Sequence, residues 1–255
     1  MGPGARSGPG KGATALPVEA VLFDVGNTLL HLDYAFLAAE LAVWRNPAVT
    51  PGAVGTADAL VRRRGWPPSA DGDFFAGYFG AIADRLGMPA AAGGALAAAA
   101  RAEHRARPRG LWDQPDPDVP AVFEVLQGAG LRLGAVSNAD GRVAAQLAQA
   151  GLARWFEVVV DSALAGVAKP DPRILHLALE RMGVAPERAL YVGDILDVDV
   201  RGARAAGMYG VLYDRHGVWR DLPAPRCERL AEIPHLLAAG ALGRAGAESE
   251  SDTVV

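Results

Sequence analysis

Two apolar, strand-like runs of this chain end on an aspartate: Val21-Leu22-Phe23 on Asp24, and Leu190-Tyr191-Val192-Gly193 on Asp194. Open α/β sheets bind ligands outside the carboxyl ends of their strands, and a carboxylate placed there is costly to desolvate unless it works or caps the turn. A third run, Leu131 to Val136, ends on Ser137 and Asn138. Their hydroxyl and amide suit a phosphate or carboxylate oxygen, and equally an ordinary turn. Lys169 is one of two lysines against 23 arginines, the other being Lys11 near the N-terminus. A compact, flexible ammonium neutralises a transferring group in a way that arginine's planar fork does not; the bland alternative is a solvated surface lysine. Asp197 and Asp199 follow Asp194 at the entry to a helical segment, where acids also serve as caps. With Asp24 and Asp194 on adjacent strand ends, Mg²⁺ would find two hard oxygen ligands and room for water and phosphate.

The elements needed to bring these residues together are legible as a pattern. From Leu131 onward, β-rich runs (Leu131 to Val136, Val158 to Val160, Ala189 to Val192, Gly210 to Tyr213) alternate with helical spacing over Val119 to Gln127, Arg142 to Ala150 and the segment opened by Asp171 and Pro172 and closed by Gly183. Such alternation predicts a parallel sheet, to which the strand ending at Asp24 also belongs. About 105 residues separate that first strand from the next, too many for one crossover. Helical apolar spacing fills the gap over Tyr34 to Trp44, Ala57 to Arg64, Asp73 to Leu86 and Ala95 to Arg107, with Pro47, Pro51, Gly65, Pro67, Pro68 and Pro89 as separators. The expected fold is α/β, a Rossmann-like parallel sheet core with an inserted all-helical subdomain. Residues 18–31 and 112–240 form the core and 32–111 the insertion, flanked by a disordered leader (1–17) and a disordered acidic tail (241–255).

Composition narrows the function. With 51% hydrophobic residues and a net charge of −4, the chain can pack a core but lacks the basic footprint of a nucleic-acid binder. Its single cysteine, Cys227, cannot form an internal disulfide, and the Gly/Pro/Ala/Ser-rich leader has no apolar segment of the signal-peptide kind. Cytoplasmic residence is therefore expected. The Ala-rich run Ala90 to Ala100, broken by Gly93 and Gly94, is too weak for a membrane span. No feature of the sequence specifies an oligomeric state.

Taken in order, Asp24 to Thr28 (D-x-x-x-T), Ser137, Lys169 and Gly193-Asp194 with Asp199 make the sequence resemble the haloacid dehalogenase superfamily over roughly residues 18 to 240. The insertion after the first motif looks like the helical cap of the subfamily that carries it there. The resemblance implies a Mg²⁺-dependent hydrolase acting on a small phosphorylated metabolite. Asp24 would attack phosphorus and form an aspartyl-phosphate that water then hydrolyses. Mg²⁺ would be held by Asp24, Asp194 and the main-chain carbonyl of Gly26. Thr28, Ser137 and Asn138 would bind the phosphoryl group, Lys169 would balance charge, and Asp199 would act behind the metal ligands.

One position departs from the pattern. Family phosphatases usually carry a second aspartate two residues after the nucleophile, as acid and base; here it is Gly26. That absence leaves open a catalytically weak relative that binds a phosphorylated ligand or a protein partner. A 2-haloacid dehalogenase is disfavoured because Gly193-Asp194 is retained, and a phosphonatase because residues 32 to 111 hold no lysine. His31 and Asp33 lie close enough to reach back, although a helix start or a solvent-facing role suits them better. Arg45, Arg62, Arg63, Arg64, Arg101, Arg105, Arg107 and His104 of the insertion could each meet an anionic substrate tail, although most read as solvated helix faces, and Phe74, Phe75, Tyr78 and Phe79 read as an aromatic band packing its interior.

Overall fold

The computed structural model describes residues 18–65, 73–222 and 224–242; the expected leader, nearly all of the expected acidic tail, and Pro67 and Pro68 lie outside the described residues. In chain order the elements begin with β1 (Ala20–Phe23), β2 (Leu30–Leu32), α1 (Tyr34–Ala42), α2 (Pro51–Arg63), α3 (Phe74–Arg85), α4 (Ala90–Ala106) and β3 (Trp112–Pro115). They continue with α5 (Val119–Gly128), β4 (Arg132–Ser137), α6 (Val143–Gln149), β5 (Val158–Asp161), α7 (Ser162–Ala165) and α8 (Pro172–Met182). The last are β6 (Ala189–Gly193), α9 (Arg201–Ala205), β7 (Tyr209–Tyr213), β8 (Arg226–Cys227) and α10 (Ile233–Ala239).

Six strands form one sheet in the order β5-β4-β1-β6-β7-β8, and every pair is parallel. Period-2 alternation sends Val21 and Phe23 of β1 into one buried cluster with α5 and α6, and Ala20 and Leu22 into another with α8 and α9. β1 is central, between β4 and β6, so Asp24, Ser137 and Asp194 leave the same edge of neighbouring strands. Helix punctuation follows the sequence closely at α8. Asp171 accepts the N–H of Arg173 at 3.0 Å, Pro172 takes the first helical position, and Gly183 closes the helix at φ 62°.

The four helices α1 to α4 have a buried cluster of their own, including Leu37, Leu41, Tyr78, Phe79, Ile82 and Leu96. Two boundaries differ from the sequence expectation. Pro51, taken as a separator, is the first residue of α2, with the Thr50 hydroxyl accepting the Ala53 N–H at 3.2 Å. α4 starts at Ala90 and carries Gly93 and Gly94 within it. Gly93 is tolerated there because α3 and α4 touch backbone to backbone: a Cβ on it would lie 3.2 Å from the Gly80 Cα. The antiparallel pair β2–β3, which joins the two crossings of the chain into and out of the four helices, was not anticipated. Both strands are short, and Trp112-Asp113-Gln114-Pro115 has little intrinsic strand preference. Among the described residues no helix is long and apolar enough to cross a membrane.

Candidate active site

Asp24 is fixed at the tip of β1, where its N–H donates to the Val192 carbonyl of β6 at 2.9 Å. The chain then turns back on itself: the Val25 carbonyl accepts the N–H groups of Leu29 and Leu30, both at 2.9 Å. Asn27, at φ 60°, tolerates the left-handed conformation this turn requires, and its Oδ1 accepts the Leu32 N–H at 3.1 Å. The turn swings Thr28 beneath Asp194, whose Oδ1 accepts the Thr28 hydroxyl at 3.3 Å. One carboxylate oxygen from each of Asp24, Asp194 and Asp199 lies within 4.8 Å of the others, all three residues being buried.

Asp199 arrives from a π-helical stretch, Leu196–Val200, that leads into α9. Gly193 makes room for it, since a Cβ there would come within 2.6 Å of three Asp199 side-chain atoms. The spacing of the Gly-Asp and Asp199 in the sequence is thus a packing requirement. Asp199 accepts the Ile195 N–H at 2.9 Å through Oδ2 and Lys169 through Oδ1.

Lys169 is the hub. Its Nζ donates to Asp24 Oδ1, Asp199 Oδ1 and the Tyr191 hydroxyl oxygen, each at 2.7 Å. Tyr191 in turn donates to the Val136 carbonyl at 2.7 Å, so its oxygen is an acceptor and all three ammonium protons are satisfied. Burial works against the charge, but Asp199 and Asp24 outweigh it and hold the ammonium well above its ordinary range. Burial also pushes the carboxyls of Asp194 and Asp199 upward.

The other residues expected from the sequence are placed around this cluster. Ser137 lines the cavity above this cluster. Asn138, which also lines the cavity, turns both amide atoms to the Lys169 main chain, donating to its carbonyl and accepting its N–H at 2.8 Å each, so it grips the Lys169 loop. Thr28, fully buried, faces Asp194 and is absent from the cavity lining. Asp33 caps α1 through the Phe36 N–H at 2.9 Å. His31 Nε2 lies 2.7 Å from Asp116 Oδ2, which also accepts the Tyr213 hydroxyl at 2.6 Å. Neither His31 nor Asp33 reaches back to Asp24.

Sequence reasoning named Arg62 only among eight cap cations and did not single it out. From α2 its guanidinium donates to Asp58 Oδ2 through Nε (3.2 Å) and Nη2 (2.9 Å), and to Asp194 through Nη1. Asp58, with no exposed surface, is also the acceptor for the hydroxyls of Tyr34 (2.8 Å) and Tyr78. Burial opposes the Arg62 charge, but Asp58 and Asp194 outweigh it and raise its pKa well above normal. No signal distinguished Arg62 from Arg63 and Arg64 in the sequence; its buried partners Asp58 and Asp194 separate it from Arg63, which turns outward to Asp221 and the Val218 carbonyl, and from exposed Arg64. Around this point four buried carboxylates (Asp24, Asp58, Asp194, Asp199) face two buried cations, Lys169 and Arg62. That surplus of hard, negative oxygen donors fits a divalent cation such as Mg²⁺.

Above the cluster opens a cavity of ≈ 1200 Å³. The aromatic band of α3 is divided between two tasks. Tyr78 and Phe79 are fully buried in the helical cluster with Phe74 and Phe75 packed against it, as expected, and Phe74, Phe75 and Tyr78, with Trp112 of β3, also line the cavity.

A family model described as "Hydrolase: haloacid dehalogenase-like hydrolase" matches residues 18–207. A glyceraldehyde 3-phosphate phosphatase of Methanopyrus kandleri is 43% identical over 112 residues, 43% of this chain and 47% of that protein. A phosphoserine phosphatase of Thermus thermophilus is 38% identical over 127 residues, 49% of this chain and 51% of that protein. The chain thus spans about half the length of these curated relatives in the matched region. Among solved structures, a predicted phosphoglycolate phosphatase from Haemophilus somnus superposes with a TM-score of 0.60 at 18% identity, over 86% of this chain and 98% of that one, a likeness of fold.

Proposed function

The chain belongs to the haloacid dehalogenase-like hydrolase family, and on that premise we propose that it is a cytoplasmic, Mg²⁺-dependent phosphatase acting on a small phosphorylated metabolite with Asp24 as nucleophile. The observation that carries most weight is the Lys169 ammonium, 2.7 Å from both Asp24 and Asp199, whose carboxylates cluster with that of Asp194. By binding Oδ1 of Asp24, Lys169 leaves the other carboxylate oxygen for attack on phosphorus. The ester oxygen departs, and water cleaves the aspartyl-phosphate. Ser137 donates its hydroxyl to a phosphoryl oxygen, Asn138 steadies the Lys169 loop, and Thr28 orients Asp194. Mg²⁺ held by Asp24, Asp194 and the Gly26 carbonyl would supply positive charge against the phosphoryl oxygens. Residues 32–111 act as a cap over the core of 18–31 and 112–240, and contribute Arg62 as a second cation. The phosphatase names of the two curated relatives favour ester hydrolysis.

Phosphate release from a panel of esters and acyl phosphates, with and without Mg²⁺, tests the assignment. Turnover is expected to vanish with chelator and return with Mg²⁺, and Asp24→Asn is expected to lower it by about 10⁴-fold or more. Orthophosphate binding without Asp24-dependent turnover would instead favour the ligand-binding alternative motivated by Gly26. Halide release from a 2-haloacid in the presence of chelator would favour dehalogenation.

A further inference from the structure

Where related phosphatases would carry an acid, this chain has an indole. A Cβ on Gly26 would lie 3.5 Å from Trp112 Cδ1 and 3.8 Å from its Nε1, in ordinary contact. The position two residues after Asp24 therefore faces the edge of an aromatic ring. Other candidate proton donors in the described lining are already committed. Asp73 and Asp140 pair with Arg101 and Arg142. Both are held below the usual carboxylate range: Asp73 chiefly by its Arg101 hydrogen bond, Asp140 because Arg142 and His104 outweigh its burial. His104 is pushed down by burial, and its Nδ1 already accepts the Leu111 N–H at 3.1 Å. Tyr78 donates its hydroxyl to Asp58, and burial followed by that charge keeps it protonated.

The same side of the cavity is a continuous aromatic wall. The Trp112 and Tyr78 rings are stacked at 6.3 Å with 29° between planes, and Phe74 stacks on Tyr78 at 5.1 Å and 21°. Tyr78 is itself fully buried behind the half-buried rings of Phe74, Phe75 and Trp112; a small alkyl phosphate would fill little of ≈ 1200 Å³ and leave those three rings wet. A planar ring on the leaving oxygen would cover them by offset stacking.

On the phosphatase assignment above, we propose that the substrate is an aryl phosphate, whose leaving oxygen needs no proton from the protein. An Asp24 carboxylate oxygen forms the new P–O bond while the phosphorus–aryl oxygen bond breaks. The electron pair leaves on the aryl oxide, which takes a proton from solvent. Water then attacks phosphorus, the P–O bond to Asp24 breaks, and orthophosphate departs with one of the water protons, the other passing to solvent.

Four esters separate ring from leaving-group acidity: phenyl, benzyl, acetyl and ethyl phosphate, assayed on the full chain with Mg²⁺. From phenyl to benzyl phosphate, kcat/KM is expected to fall by about 10²-fold or more, the worth of the missing acid. From phenyl to acetyl phosphate, KM is expected to rise by about fivefold, the worth of one aromatic stacking contact. Gly26→Asp should raise benzyl and ethyl phosphate turnover and narrow the gap. Trp112→Leu should raise KM for phenyl phosphate, and Trp112→Phe should restore it. Benzyl phosphate turned over within tenfold of phenyl phosphate, or acetyl phosphate with an equal or lower KM, overturns the aryl assignment while leaving the phosphatase intact. No Asp24-dependent turnover of any of the four removes both. The comparison on the unmodified protein carries the test should a Trp112 variant fail to fold.

Discussion

At the floor of the cavity, Lys169 uses all three N–H groups on Asp24, Asp199 and Tyr191, and Asp199 and Asn138 are likewise hydrogen-bonded through both side-chain polar atoms. Across from it, Phe74, Phe75 and Trp112 present rings positioned by packing, and Arg62 reaches the floor at Asp194. The floor is a set of directional bonds at strand ends, where a small displacement breaks several at once. The wall is a set of helix-borne surfaces, where one ring can replace another with modest loss.

Lys169→Arg should break this contrast most visibly. The guanidinium carries its donors in a plane and farther from Cα, so it cannot meet three acceptors converging on one nitrogen. Phosphate release is expected to fall by about 10²- to 10³-fold, with thermal unfolding lowered as well. An arginine variant that keeps a tenth of the activity would show that the floor is less exacting than its geometry.

Arg62→Gln sharpens the boundary between the regions. Removing the guanidinium leaves Asp58 and Asp194 without their cation, so a loss of about 10- to 100-fold in kcat/KM is expected. Because Asp194 is then free of a competing cation, Mg²⁺ titrated alone and followed by calorimetry should bind more tightly than to the unaltered protein. Unchanged Mg²⁺ affinity would mean that Arg62 only holds the cap together.

The smallest effect tests the packing of the cap itself. Gly94 faces open space, so Gly94→Ala should gain helix propensity, about 0.5–1 kcal/mol, and raise Tm by about 2 °C. Gly93→Ala should lower Tm, because its Cβ would press on the Gly80 backbone at 3.2 Å. The two substitutions differ by one position on α4, and thermal melts of both report whether α3 and α4 touch as closely as described.

How far the chain could be read in advance divides along the same line. Asp24, Ser137 and Asp194 were legible because each stands at the end of a β-rich run, and a parallel sheet brings such ends together by its topology; Lys169 was legible because the chain has only one other lysine. Arg62 and the aromatic wall were not. A helix with residues on several faces does not reveal which face a distant partner will cover, and Arg62 differs from Arg63 only through Asp58 and Asp194, one of them 132 residues away.

By itself, the order of residues determined the parallel sheet, the insertion after the first strand, the positions of the acids and the ammonium, and the glycine where an acid would be expected. Tertiary structure alone decided that Thr28 and Asn138 turn toward Asp194 and Lys169, that Arg62 enters the site, and that Trp112 stands beside Gly26. The first set depends on neighbours in sequence, which the periodicity of apolar residues reports. The second depends on side-chain directions between elements far apart in the chain, which are set only when the helices pack.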